Sequence, residues 1–147
     1  MVDRRDVATW LQGPPPRRSE PSSYAGERLG LPAEGPGRVA RVGPRLAAFV
    51  IDAVLCAAIA WGIPHDPAWT TPIFAVEVLV LTALAGASAG QRVLGLRVVR
   101  LDGRHPGVPR VLLRTVLLLL LIPVLIWDRD GRGLHDRAAG TVLVHTR

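Results

Sequence analysis

The chain contains no lysine: its 18 basic residues are all arginine, set against 12 acidic residues for a net charge of +6. With its abundance of Arg, Ala, Gly, Pro and Val, this bias is the one expected from a GC-rich bacterial genome. Cysteine is nearly absent as well. Cys56 stands alone, which excludes an intrachain disulfide and a metal site built on cysteine pairs, and inside an apolar run it reads as a small packing residue. Aromatic residues make up only 5% of the chain. Without an aromatic platform or a recognition helix, and with arginines that flank apolar blocks, the positive charge does not read as a nucleic-acid surface. The four histidines, His65, His105, His135 and His145, lack metal-ligand spacing and read as loop residues, so no metal or cofactor is expected. No apolar core follows Arg4-Arg5 for some forty residues, so neither a twin-arginine nor a cleaved secretory signal is expected.

Apolar residues nevertheless account for 49% of the sequence, and its mean hydropathy is +0.29 despite 20% charged residues. Such a combination requires segregation of charges from apolar blocks. Residues 1–42 hold few apolar side chains and include Pro14-Pro15-Pro16, so they read as a disordered cytoplasmic tail rich in Pro, Gly and Arg. A short interfacial helix over 3–12, carrying Trp10 and Leu11, is the one element expected there. A first membrane span is expected over about 46–63 and a second over about 73–89, joined at Pro64-His65-Asp66-Pro67 as an antiparallel hairpin. Arginines precede the first span (Arg38, Arg41, Arg45) and follow the second (Arg92, Arg97, Arg100, Arg104, Arg110), while the turn between has none. The positive-inside rule then places the N-terminus and the 91–110 loop in the cytoplasm of a multi-pass protein of the plasma (inner) membrane.

The remaining elements are shorter. Residues 94–102 and 140–145 are β-rich, and each is unstable alone. A third apolar block, 111–127, has a length of about 17 residues, at the bottom of the spanning range, with Arg114 near its start and Pro123 near its end. A straight span would separate the two β-rich runs. A re-entrant helix kinked at Pro123 would return the tail, with Arg129, Arg132 and Arg137, to the same side. The fold class is thus an α-helical integral membrane protein with two antiparallel spans, a third spanning or re-entrant helix and short cytoplasmic β-like segments.

The most informative residue is Asp52, a carboxylate within the first span. An acid in hydrocarbon costs about 2.5–3.5 kcal/mol even on lenient scales and normally faces a partner or a cavity. Arg45 lies two helical turns away on the same face, about 10 Å along the axis, too far to pair with it. Arg92, Arg114 and Arg137 are the candidate partners of Asp52, as a structural ion pair or as the counter-charges of a site that binds or relays a cation or proton. Glu77, early in the second span, is expected near the opposite leaflet, within reach of water. The second span ends Gly86-Ala-Ser88-Ala-Gly90. This matches the Gly-x-Ser-x-Gly nucleophile elbow only as a string, because that motif needs a strand before its serine; Gly86 and Gly90 read instead as a helix-packing pair. No nucleophile–base or metal set is visible, so the chain is not expected to be an enzyme.

Three stretches, Arg45-Leu-Ala-Ala-Phe-Val-Ile-Asp52, Gly90-Gln-Arg92-Val-Leu-Gly95-Leu-Arg97 and Leu134-His-Asp136-Arg-Ala-Ala-Gly140-Thr, resemble in content and order the RDD family of small bacterial membrane proteins. That family is named for an arginine, an aspartate in the first helix and a second aspartate, which correspond here to Arg45, Asp52 and Asp136. The resemblance covers about 43–147. It departs from the family where Gly-Lys before the second arginine is replaced by Gly90-Gln91, and in its short third block. It implies a membrane domain whose molecular role is undefined, with transport of an unidentified ligand the usual suggestion. Asp136 is expected to dock below the bundle against Arg92 or Arg97. Two functions follow as expectations. One is transport of an ion or small ligand through Asp52, which three short helices permit only in a homo-oligomer. The other is a membrane accessory or scaffold role, with a structural Arg/Asp set and a basic face that binds anionic lipid headgroups or a partner protein.

Overall fold

The computed structural model describes residues 22–120 and 131–147. Its frame is a helical hairpin. Helix α1 (Val42–Gly62) begins a turn earlier than expected, since Pro44 falls in the first turn, where backbone N–H groups have no intrahelical partner to lose. A short turn at Pro67–Trp69, capped by the Asp66 carboxylate accepting from Ala68 N (2.9 Å), leads into α2 (Thr70–Ala85). The hairpin is closed by Phe49 and Phe74, edge to face at 5.3 Å, and by Cys56, Val78 and Leu118 around them. Cys56 is thus a packing residue, as expected.

Both helices are inside out relative to a helix in water. Along α1 the buried stripe is Arg45, Ala48, Asp52, Cys56 and Ala60, at spacings of three and four, while Val50, Val54 and Trp61 are exposed. Along α2, Phe74, Val78 and Thr82 point inward and Val76, Val80 and Leu84 outward. Both are long and apolar enough to cross a membrane, yet only 22% and 17% of their apolar windows are buried within the chain. A core helix of a water-soluble domain would be mostly buried; these present their apolar surface outward, as a lipid solvent requires.

The second helix starts three residues and ends four residues earlier than expected. Gly86 stops it in a left-handed conformation (φ 74°), open to glycine at little cost, and its carbonyl accepts from Val98 N at 2.7 Å. Residues 86–89 therefore do not continue the span. The chain turns back to form a five-residue helix, α3 (Ala89–Val93), packed on α1. Strand β1 (Leu96–Arg100) follows, then α4 (Val108–Leu119), α5 (Leu134–Ala139) and β2 (Thr141–His145). The remainder of the third apolar block, including Pro123, lies outside the described residues.

The two β-rich runs pair antiparallel, with Val98 opposite Leu143. A straight third span would have kept them apart. Residues 22–41, expected within a disordered tail, form the other half of this layer. Val39 bridges to Val144, Ala40 N donates to Leu143 O (2.8 Å), and Gly37 N donates to His145 O (2.8 Å). One ribbon face packs Leu96, Val98 and Leu143 on Ala48 of α1, and the other packs Val142 and Val144 under Ala25, Leu29 and Leu31. The correction has a physical reason: a bare two-stranded ribbon is marginal in water, and these few apolar residues cover its outer face. The expected helix over 3–12 and the tail through residue 21 lie outside the described residues.

Since β1 and β2 are neighbours, cysteines at Asp102 and Thr146 in a Cys56→Ala background should react with an impermeant thiol reagent from the same face of the membrane. A cysteine at His65, in the hairpin turn, should react only from the other face. Opposite-side labelling of the first two would contradict the ribbon.

Candidate functional site

Arg45, Arg114 and Asp136 form one cluster and Asp52 and Glu77 a second, on either side of a small cavity. Asp136, in the first turn of α5, is fully buried. Its Oδ2 accepts from Arg45 Nη1 of α1 (2.5 Å) and its Oδ1 from Arg114 Nε of α4 (2.7 Å), with Thr141 Oγ1 at 3.4 Å and His135 Nε2 at 3.6 Å. Arg45 Nε also donates to Ala40 O at 2.8 Å. Burial by itself would push the Asp136 carboxyl up. The guanidiniums of Arg114 and Arg45, with His135, outweigh it and hold the group well below the usual carboxylate range. Asp136 was expected against Arg92 or Arg97. Both are exposed, and the aspartate is instead drawn inside by the two arginines that could not remain buried without it. His135, read as a loop residue, is buried in the same cluster.

The second cluster surrounds Asp52. None of the arginines named as its candidate partners binds it. Arg114 is engaged by Asp136, and Arg92 and Arg137 are exposed. Asp52 Oδ2 accepts from Ser88 Oγ (2.6 Å) and Oδ1 from Gly90 N (2.5 Å). Glu77 departs from expectation too: its Oε1 accepts from Ala89 N at 2.8 Å, beside Asp52 and not at the far leaflet. The α2 helix carries it inward because the 86–89 segment folds back along the bundle. Carboxylates from two helices thus hold two successive N–H groups in the first turn of α3. Ser88 is the N-cap of α3, in a reciprocal capping box with Gln91. The Ser88-x-x-Gln91 string carries that signature, which the reading of 86–90 as a helix-packing pair within the span missed.

The expected glycine pair divides into two roles. Gly86 is the helix stop described above. Gly90 alone is a packing residue, for a Cβ there would lie 2.2 Å from Ala48 O and 3.0 Å from Asp52 Oδ1. Backbone cannot retreat from such a contact, so Gly90→Val should abolish accumulation of folded protein in the membrane, while Gly43→Val, where nothing lies within 4 Å, should be tolerated in the same expression and detergent-extraction assay.

Between the clusters lies a cavity of ≈ 40 Å³, with Arg45, Asp52, Ser88, Gln91, Arg114 and His135 among its polar lining and Phe49, Phe74 and Leu118 among its apolar lining. It has room for roughly one to three waters or one small ion and excludes a metabolite. Among the described residues, Arg114 Nη1 and Glu77 Oε2 are buried without a hydrogen-bond partner.

Removing the Asp136 charge leaves two guanidiniums buried. Asp136→Asn should therefore cost about 3–5 kcal/mol, read as loss of thermal stability in detergent. The native pKa of Asp136 is depressed, so its contribution is fully present above the unfolded value of about 3.9 and is lost as the pH falls towards the folded one. The difference between wild type and Asp136→Asn should accordingly stay constant from about pH 7 to about pH 5 and narrow only below about pH 4.

The sequence model of the RDD family matches residues 67–140, half of the chain, a stretch that includes Glu77, Ser88, Gly90, Arg114 and Asp136. Arg45 and Asp52 precede it. Neither a curated protein nor a solved structure matches the chain. Family membership agrees with two lipid-type helices whose charges face inward, and the chain is accordingly a largely helical membrane protein that belongs to the RDD family.

Proposed function

We propose that this protein moves a proton or a small monovalent cation across the membrane, with Asp52 as the site that takes it up and Glu77 as its neighbour in the relay. The observation that carries this reading is the meeting of two carboxylates from adjacent helices at successive amides, one of them lining a cavity of ≈ 40 Å³. A hydroxyl or amide could cap α3 at far lower desolvation cost, so the use of two acids within an apolar bundle favours a role in ion handling. The cavity size favours an ion over a larger solute. Arg114 and Arg45 set the local potential and keep the site from trapping a cation. One chain encloses too little space for a pathway, so the transporting unit is a homo-oligomer that completes it. The arginine-free turn lies outside, and the N-terminus and the ribbon lie in the cytoplasm, with α4 entering the bilayer without crossing it.

The second reading, a membrane scaffold without transport, draws on the Asp136 cluster, whose buried ion pairs are those of a structural lock. Asp52→Asn separates the two. It keeps the shape of the side chain and one hydrogen-bond acceptor but removes the charge. For transport, the purified variant in proteoliposomes should keep its oligomeric elution and lose at least about tenfold in proton or Na⁺ flux, as expected for loss of a charge-assisted contact. Wild-type protein without flux above empty vesicles, or a variant that keeps wild-type flux, would favour the scaffold.

A further inference from the structure

A second recess lies at the end of α2. It has a volume of ≈ 280 Å³, at the small end of ligand sites, which run to roughly 300–1,000 Å³. Arg92 of α3, Arg97 of β1 and Arg147 after β2 line it together with Ala85, Gly95 and Thr146, and no Asp or Glu does. Among the described residues, none of the three arginines has a carboxylate within ion-pair distance. Two of them lie close over glycine backbone. A Cβ on Gly86 would stand 3.1 Å from Arg97 Nε, and one on Gly95 would stand 3.6 Å from Arg147 Nε, so these side chains fold back over glycine backbone towards the helix end. The strand pairing explains why they meet, since Thr146 N and Oγ1 both donate to Gly95 O and bring the end of β2 beside the start of β1.

We propose that this cleft binds the phosphate of an anionic membrane lipid. Three guanidiniums in one recess repel one another, and an anion with several oxygens relieves that repulsion through short, bidentate hydrogen bonds. The position selects the source. Ala85 is the last residue of a helix that is apolar enough to cross the bilayer, so the cleft sits where hydrocarbon gives way to headgroups. Leu84 (79% exposed) and Val93 (68% exposed) lie beside it in sequence and offer apolar surface to acyl chains. Arginine pockets at the ends of membrane helices recognise headgroups in this manner, through charge at the surface and apolar contact below it. The site requires only that the chain be embedded in a membrane, so it stands apart from the transport reading.

The test uses full-length protein in detergent, given equal amounts of phosphatidylglycerol and phosphatidylcholine and examined by native mass spectrometry. Wild type should retain phosphatidylglycerol preferentially. The triple variant Arg92→Gln/Arg97→Gln/Arg147→Gln should lose that preference by about tenfold. A second triple variant with the same change in net charge at exposed positions elsewhere, Arg28→Gln/Arg104→Gln/Arg137→Gln, should keep it. Equal loss in both triples would overturn the site in favour of diffuse charge, as would retention of the preference in the first. Should the first triple fail to elute as folded protein, Arg147→Gln alone, exposed and beyond β2, must show a partial loss for the proposal to survive. Inorganic phosphate that stabilises the wild type where phosphatidylglycerol is not retained would overturn the lipid assignment.

Discussion

The carboxylate of Asp136 holds together parts of the chain that have little other reason to meet. It joins Arg45 on the first helix to Arg114 on the third apolar block, 91 and 22 residues away, and receives Thr141 at the start of the second strand. Through Arg45 Nε the same contact reaches Ala40, and so the edge of the ribbon formed by residues 37–40. A buried ion pair contributes little net stability compared with a well-packed apolar substitute, but breaking one leaves a stranded charge. Its role here is to select one arrangement. Any alternative docking of α4 or of the ribbon leaves two guanidiniums without their acid in a medium that cannot solvate them.

That constraint is severe because the bundle is built the wrong way round for water. Outward surfaces of α1, α2 and α4 are valine and leucine, while the inward stripe carries Arg45, Asp52, Arg114 and Thr115. Apolar contact alone therefore gives weak instructions about which helices belong together, since lipid satisfies those surfaces as well as another helix does. Polar groups supply the missing specificity. Asp52 and Glu77 fix the short helix α3 against α1 and α2 by accepting from its first amides, and Gly90 lets the backbone come close enough for those bonds to form.

The same geometry separates two tasks that the sequence ran together. Arg45, Asp52 and Asp136 form one signature, yet they do not form one ion pair. Arg45 and Asp136 belong to the lock, and Asp52 belongs to a neighbouring carboxylate cluster, with the cavity between them. The guanidiniums of the lock act on Asp52 across that space without touching it.

Much of the frame was legible in the sequence. Two apolar runs of sufficient length bounded by prolines, glycines and arginines determine the hairpin, because spanning length and backbone satisfaction in lipid leave few alternatives. Asp52 as a buried acid, Cys56 as packing and the β-rich character of 94–102 and 140–145 were equally local. What the sequence could not determine was partnership. Charge arithmetic offered Arg92, Arg114 and Arg137 to Asp52, and Arg92 and Arg97 to Asp136, with nothing to choose among them. Only the reversal at Gly86, which folds 86–93 back along the bundle, gave Asp52 the amide of Gly90 and moved Glu77 from the far leaflet to its side. Only the pairing of β1 with β2 brought Asp136 beneath Arg45 and gave residues 22–41 a surface to cover. Spans are decided by local composition and length. The partner of a buried charge is decided by which backbone and side-chain groups reach it first, and that is a property of the folded chain.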